Sequence, residues 1–414
     1  MKTTLLILAS VFCASSSFSQ DATPASPSAI KNWQDARFGM FIHWGPVSLK
    51  GTEIGWSRGS EVPMAEYDNL YKQFNPTKFN ANEWVAVAKA AGMKYIVLTT
   101  KHHDGFCLWN TKETDYNIMN TPFKRDVVKE LAEACKNGGI AFGAYYSTCD
   151  WYHPDFPHTS PRGITVREKS DLDRYTDYLK SQTKELLTNY GPLFTLWYDN
   201  SQDFDATRGA SVINMARAIQ PDIVINNRTG HPGDYDTPEQ RIGGFQINRP
   251  WETCMTICEQ WAWKPNDNMK SLKECIQTLI RTNGGDGNLL FNVGPMPTGE
   301  IEDRQVERLK EMGAWLAKNS ESVYGTRGGP WKPSSHMVST RKGNKIYLHL
   351  LRKVDGPVTV TALPVAIKSA KLLNGQDLKT ATANGSLSFQ IPDKSWDEID
   401  TIIELTIDGN TPHQ

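Results

Sequence analysis

The strongest constraint in this chain is a repeating pair of patterns. A short, almost unbroken run of apolar, β-branched or aromatic residues is followed by a longer stretch with helical spacing. The runs cover residues 38–44, 95–100, 140–147, 193–199, 223–227 and 288–293. A strand with one wet face alternates apolar and polar residues, whereas a strand covered on both faces does not. The runs therefore predict parallel strands buried on both sides. Between them lie amphipathic helices. Val127, Val128, Leu131, Ala134 and Cys135 form one stripe, ended by Gly138-Gly139. Leu272, Cys275, Ile276, Leu279 and Ile280 form a second, and Val306, Leu309, Met312 and Leu316 a third. Strand–helix alternation over roughly 290 residues predicts an α/β fold, a (β/α)8-like barrel over residues 31–326. A doubly wound sheet is the alternative, because the runs number six or seven rather than eight.

The pattern changes near residue 327. Beyond Arg327-Gly-Gly-Pro330, the segments 345–351, 358–363, 367–373, 386–391 and 401–407 read as short strands, with hairpin signals at Asn374-Gly375 and Asn384-Gly385. Residues 327–414 are predicted to form a small C-terminal β-sandwich without chemistry of its own. At the other end, residues 1–20 read as a signal peptide: Lys2, an apolar run over 5–12, then Ser17 and Ser19 at a small-residue cleavage site. The run is too short to span a bilayer. Residues 21–30, rich in Pro, Ala and Ser, read as a flexible lead. The expected location is secreted or periplasmic, with no membrane span. Beyond the signal, Cys107, Cys135, Cys149, Cys254, Cys258 and Cys275 are expected mostly as buried free thiols.

Charge excludes some partners. With 45 basic and 46 acidic residues, the chain has no electrostatic footprint for nucleic acid. The 13 Trp and 14 Tyr are more suggestive, because aromatic faces stack on the C–H faces of sugars.

In a barrel the site lies at the C-terminal ends of the strands. Four runs end in reactive groups: His43-Trp44-Gly45, Lys101-His102-His103-Asp104-Gly105, Cys149-Asp150-Trp151 and Trp197-Tyr198-Asp199-Asn200. A metal hydrolase using His43, His102 or His103, and Asp199 is one reading, but neither a His-x-His strand nor a His-Glu-x-x-His helix is present. Glycoside hydrolysis is the other. It needs paired carboxylates, donors for hydroxyls and an aromatic wall, and requires no metal or other cofactor.

These segments, with Trp251-Glu252-Thr253-Cys254, Asn75-Pro76, Tyr145-Tyr146-Ser147 and the run Asn288–Val293 continuing into Gly294-Pro295, resemble the signatures of the α-L-fucosidases of glycoside hydrolase family 29. The resemblance runs in order over about residues 32–330. It implies a retaining, exo-acting enzyme on fucosylated oligosaccharides or polysaccharides, with Asp199 as nucleophile. Glu252 is the candidate acid/base within the Trp-Glu-x-Cys signature, Glu239 its rival and Asp236 a weaker one. Arg241 or Arg249 would pair with Glu252 if it were merely structural. Trp251, Trp261 and Trp263 are expected as apolar walls, and His43, Trp56, His102, His103 and Trp197 as the sugar-binding set. Tyr145 and Tyr146 adjoin, so only one points inward. The sequence departs from the family at Gly55, where a Glu is common, at Tyr198, where Phe is common, and at Asn200, where Gly is common. Those departures keep open a same-fold glycosidase for a related sugar, such as a galactoside or a sulfated algal residue. A catalytically silent sugar-binding protein is the third reading. Oligomeric state stays open.

Overall fold

The computed structural model describes residues 21–160 and 166–411. The signal peptide expected over 1–20 lies outside them. Among the described residues no helix is long and apolar enough to cross a membrane.

Among the described residues seven parallel strands form the largest sheet: β1 (Phe38–Ile42), β2 (Tyr95–Lys101), β3 (Ala141–Ser147), β4 (Thr195–Asp199), β5 (Val224–Ile225), β6 (Glu252–Thr256) and β7 (Asn288–Val293). Their order is β5-β4-β3-β2-β1-β7-β6. The sheet curls into a barrel, and residues 234–240 fill the gap between β5 and β6. Asp234 N donates to Ile225 O (2.7 Å), Glu252 N to Asp236 O (2.9 Å) and Gln240 N to Cys254 O (3.0 Å), so this segment is tied to both edges. It is an irregular eighth strand. Pro238 has no N–H for a ladder, and Gln240 sits at φ +50°. These breaks hide it from a search for apolar runs.

Strand alternation divides the core. Met40, Ile42, Leu98, Tyr146, Leu196, Phe291 and Val293 face outward against the helices. Phe41, Tyr95, Val97, Tyr145, Trp197, Cys254 and Leu290 face the barrel interior. Helix Pro27–Ala36, capped by Ser26, closes the bottom. Its Trp33 is fully buried, with its ring 4.2 Å from that of Tyr235. Part of the segment expected as a flexible lead packs on the barrel, and its residues from Pro27 on are helical. Ala25 is buried, its N–H donates to Asp234 Oδ1 (3.0 Å), and Arg217 holds the Thr23 carbonyl. Backbone donors and acceptors anchored this way do not fray.

The C-terminal strands are β8 (Arg327–Gly328), β9 (Met337–Lys342), β10 (Lys345–Leu350), β11 (Val358–Thr361), β12 (Ile367–Leu372), β13 (Lys379–Ala383), β14 (Ser386–Gln390) and β15 (Thr401–Ile407). They form antiparallel sheets of order β12-β15-β10-β9-β8 and β11-β14-β13 around a separate apolar core. This sandwich docks on helix Leu272–Gly284, where Gln277 donates to the Leu351 and Ile399 carbonyls. All six cysteines in the described residues are free and buried.

Candidate active site

A cavity of about 300 Å³ opens at the C-terminal ends of the barrel strands. Phe41, His43, Trp56, His102, His103, Tyr145, Trp197, Asp199, Arg228, Glu239, Cys254 and Trp261 are among the residues that line it.

Asp199, the last residue of β4, is held from several sides. Its Oδ1 accepts from Arg228 Nη1 (2.8 Å) and from the Asn200 N–H (2.9 Å). Its Oδ2 accepts from the Tyr145 hydroxyl (2.8 Å), and His103 Nε2 lies 3.7 Å away. Burial alone would raise its pKa. The Arg228 charge and hydrogen bond and the hydroxyl of Tyr145 hold the group below the usual carboxylate value. Asp199 is therefore an anion at neutral pH.

The same Arg228 Nη1 donates to Glu239 Oε2 at 2.9 Å. The two carboxylate oxygens therefore lie no farther apart than the sum of two hydrogen bonds. That is closer than the ~6.5–9.5 Å of inverting glycosidase pairs. Arg228 is fixed in turn: Nε donates to Thr237 Oγ1 (2.8 Å), Nη2 to the Thr237 carbonyl (2.9 Å), and the guanidinium lies 4.8 Å over the Trp197 ring. Glu239 keeps 43 % of its side chain exposed, on the solvent side of the cavity.

Glu252 lies elsewhere. It opens β6, so it faces inward one layer deeper than Cys254, at the level of Tyr95 and beneath the cavity. It is fully buried and does not line the cavity. Its partners are the Tyr95 hydroxyl and Trp197 Nε1 (3.1 Å), not Arg241 or Arg249. Burial pushes its pKa up to about 8, against the pull of those two donors. Asp236 pairs with Arg249 (2.7 Å) and also stays out of the cavity lining.

The imidazoles are neutral. Burial drives His43 down to about 3 and His103 down to about 4, and His102 well below its ordinary value. Two tautomers follow from the neighbours. Asn292 Nδ2 donates to the Trp261 carbonyl (2.7 Å), so its Oδ1 must accept from His43 Nδ1 (2.6 Å). Ser147 Oγ donates to the Cys149 carbonyl (2.7 Å), so it accepts from His103 Nδ1 (2.6 Å). Both rings thus keep Nε2 as a free acceptor for a hydroxyl. His102 stacks on Tyr145 at 5.4 Å, with its Nδ1 buried and unpartnered against Gly55.

The departures have local reasons. At Gly55, φ is +68°, and a Cβ would stand 2.9 Å from His102 Nδ1 and 3.3 Å from Trp151. A larger residue does not fit beside this imidazole. Asn200 has φ +57°, the left-handed region that Gly adopts freely and Asn best tolerates. Tyr198 points out of the barrel, toward Thr183 Oγ1 (3.3 Å), and does not touch the cavity rim.

All five residues of the expected sugar-binding set line the cavity, with Asp199. Trp56 is 45 % exposed at the mouth, edge-on to His103. Trp261 lies 4.8 Å from His43, whereas Trp251 and Trp263 are not in the lining. Lys101 and Asp150 form a buried pair (2.9 Å) behind the site. Tyr145 and Arg228 are the additions. The strand-end rule could have found Arg228, because it follows the 223–227 run directly. Ligand atoms of His102, His103 and Asp199 come within 4.8 Å of one another. A cation there would face the Arg228 guanidinium already on Asp199 Oδ1, so the donor set suits an anionic nucleophile better than a metal ligand.

Comparison with known proteins gives a consistent picture. Residues 6–321 match the family described as alpha-L-fucosidase. The human plasma alpha-L-fucosidase is 32% identical over 345 residues, covering 74% of this chain and 71% of that protein. Alpha-L-fucosidase isoenzyme 1 from Paenibacillus thiaminolyticus superposes with a TM-score of 0.85 at 35% identity, over 92% of this chain and 99% of that one. A Bacteroides thetaiotaomicron alpha-L-fucosidase, captured as a covalent intermediate with 2-fluoro-fucosyl fluoride, superposes with a TM-score of 0.85 at 27% identity, over 94% of this chain and 99% of that one.

Proposed function

The chain belongs to the α-L-fucosidase family of glycoside hydrolases, and on that premise we propose that it is a retaining, exo-acting enzyme with Asp199 as nucleophile and Glu239 as general acid/base. The observation that carries the pairing is the single Arg228 nitrogen shared by the two carboxylates at the cavity. Glu252, the acid/base expected from the Trp-Glu-x-Cys signature, is fully buried and outside the cavity lining, which favours Glu239 for the role.

In this reading fucose enters with C1 toward Asp199. His43 and His103 accept hydrogen bonds from sugar hydroxyls through Nε2, and Trp56, Trp197 and Trp261 cover apolar faces of the sugar. Asp199 forms a bond to C1 as the glycosidic C1–O bond breaks, and Glu239 gives its proton to the departing oxygen. Glu239, now a carboxylate, takes a proton from water. That water attacks C1, the C1–Asp199 bond breaks, and fucose leaves with its configuration retained. The covalent intermediate captured in the Bacteroides relative supports the two-step route. A cavity closed below by Phe41, Trp197 and Cys254 suits one terminal residue of a glycan.

Azide distinguishes the two roles. In Asp199→Ala, hydrolysis should fall by orders of magnitude, and azide should restore turnover with a β-fucosyl azide product. In Glu239→Ala, a dinitrophenyl fucoside should still form the covalent intermediate, and azide should yield the α-fucosyl azide. Wild-type turnover of unactivated fucosides by Glu239→Ala would refute the acid/base assignment. The secreted or periplasmic location belongs to the same proposal, and intact mass of exported protein should show loss of about the first 20 residues.

A further inference from the structure

The mechanism leaves one buried titratable group unused. Glu252 sits at the centre of a small polar network inside an otherwise apolar barrel floor. Its Oε1 accepts from the Trp197 indole at 3.1 Å, and its Oε2 meets the Tyr95 hydroxyl. Tyr95 is itself locked. Its ring occupies the space where any side chain at position 39 would stand, with ring atoms 2.4–2.7 Å from a Cβ built on Gly39. The Tyr95 side chain also interacts with that of Asn288, the register partner of Glu252 across β6 and β7.

What Trp197 supports is the reason the contact matters. The Tyr145 ring stacks on it (5.5 Å, 18°), and the Arg228 guanidinium lies over it at 4.8 Å. Those two residues are the side-chain donors to Asp199. An indole that tilted would carry both with it. Removing the Glu252 acceptor would leave a buried N–H without a partner, and the ring would have to move to find one. A nucleophile depends on donors held to within a fraction of an ångström.

We propose that Glu252 is a positioning residue: from beneath the cavity it fixes the Trp197 plate on which the two side-chain donors of Asp199 rest. The proposal rests on Asp199 being the nucleophile. It assigns Glu252 no contact with substrate and no proton transfer to the leaving group. A carboxyl is suited to the place because either protonation state keeps an oxygen for the indole N–H, with the second oxygen able to accept from or donate to Tyr95.

The test compares Glu252→Gln with Glu252→Leu in the full chain. Gln keeps the acceptor for Trp197 and a polar group for Tyr95, whereas Leu keeps the volume and removes both. Glu252→Gln should stay within about threefold of wild type in kcat/KM on aryl fucosides. Glu252→Leu should lose about tenfold or more, mostly in kcat because the nucleophile is misaligned, and its Trp197 indole ¹H–¹⁵N resonance should move. Added azide should rescue neither variant. A folded Glu252→Leu with wild-type kcat/KM and an unmoved indole resonance would overturn the positioning role while leaving Glu239 as acid/base. A hundredfold loss in Glu252→Gln that azide restores as the α-fucosyl azide would instead make Glu252 the acid/base, and would overturn both readings. If Glu252→Leu does not fold, Tyr95→Phe serves. It should lower kcat/KM about twofold to fivefold and shift the same resonance, and no change in either refutes the inference.

Discussion

Replacing Arg228 by Met tests how the site keeps Asp199, the proposed nucleophile, ionised. Met retains most of the aliphatic stem over Trp197 and removes the guanidinium. Four hydrogen bonds go: Nη1 to Asp199 at 2.8 Å, the same atom to Glu239 at 2.9 Å, and the two that anchor the guanidinium to Thr237. A hydrogen bond to a charged group contributes about 1.5–3 kcal/mol, and breaking a buried pair costs about 3–5 kcal/mol. Asp199 is only 15 % exposed, which argues for the higher range. It also keeps the Tyr145 hydroxyl and the Asn200 amide, which argues for the lower. A loss of about 2–3 kcal/mol is expected, or roughly 30–150-fold in kcat/KM. Glu239 is far more exposed, so water replaces its lost partner at little cost. The sign of the pH effect follows from the same contacts. In the wild type Arg228 opposes burial and holds the Asp199 pKa down, so the active anion persists into acid. Without Arg228 burial is less opposed, the pKa rises, and the acid limb of the kcat/KM profile moves to higher pH. Stability shifts in the same sense. A depressed folded-state pKa contributes stability above the unfolded value, lost as pH falls through the folded one, and the variant loses that contribution near neutrality. The assay is kcat/KM on an aryl fucoside across pH, with thermal unfolding alongside. Less than threefold loss with an unmoved acid limb would refute the argument.

Other perturbations probe the surrounding shell. Gly55→Ala places a Cβ 2.9 Å from His102 Nδ1 at φ +68°, so KM should rise about tenfold, with about 1–2 kcal/mol lost in denaturant unfolding. Asn200→Gly should keep stability to within a few tenths of a kcal/mol, whereas Asn200→Ala at φ +57° should lose about 1 kcal/mol; equal stabilities would show that this φ carries no strain. His43 and His103 titrate near 3 and 4, so their ¹⁵N shifts should hold the neutral pattern from pH 8 down to about 5. Because the unfolded rings protonate near ~6.5, these two residues lower stability progressively as pH falls below that value. An imidazolium signature at pH 6 would contradict the assigned tautomers.

The legibility of the site followed the regularity of the backbone. His43, His102, His103, Trp197 and Asp199 end or follow strands that read as apolar runs, so the barrel rule located them. Glu252 also lies on a regular strand, but β6 reads Glu-Thr-Cys-Met-Thr, which signals neither its start nor its inward face. A residue opening a strand lies at the bottom of the barrel, and one ending it lies at the top. A motif match carries no such depth. Glu239 ends a segment whose Pro238 and positive-φ Gln240 erase the strand pattern, so its place beside Asp199 was invisible until the backbone bonds to β5 and β6 were seen.

The amino-acid sequence by itself determined the α/β barrel, the β-rich C-terminal domain, the fucosidase signatures and the place of Asp199 at a strand end. Each of these is written in local periodicity or contiguous motifs. Only the tertiary structure decided that Tyr145 rather than Tyr146 faces Asp199, that Arg228 joins Asp199 to Glu239, and that Glu252 lies under the cavity. Those outcomes depend on strand parity and on how far along the barrel axis each strand begins. Both are set by the register between neighbours distant in sequence, which no local pattern contains.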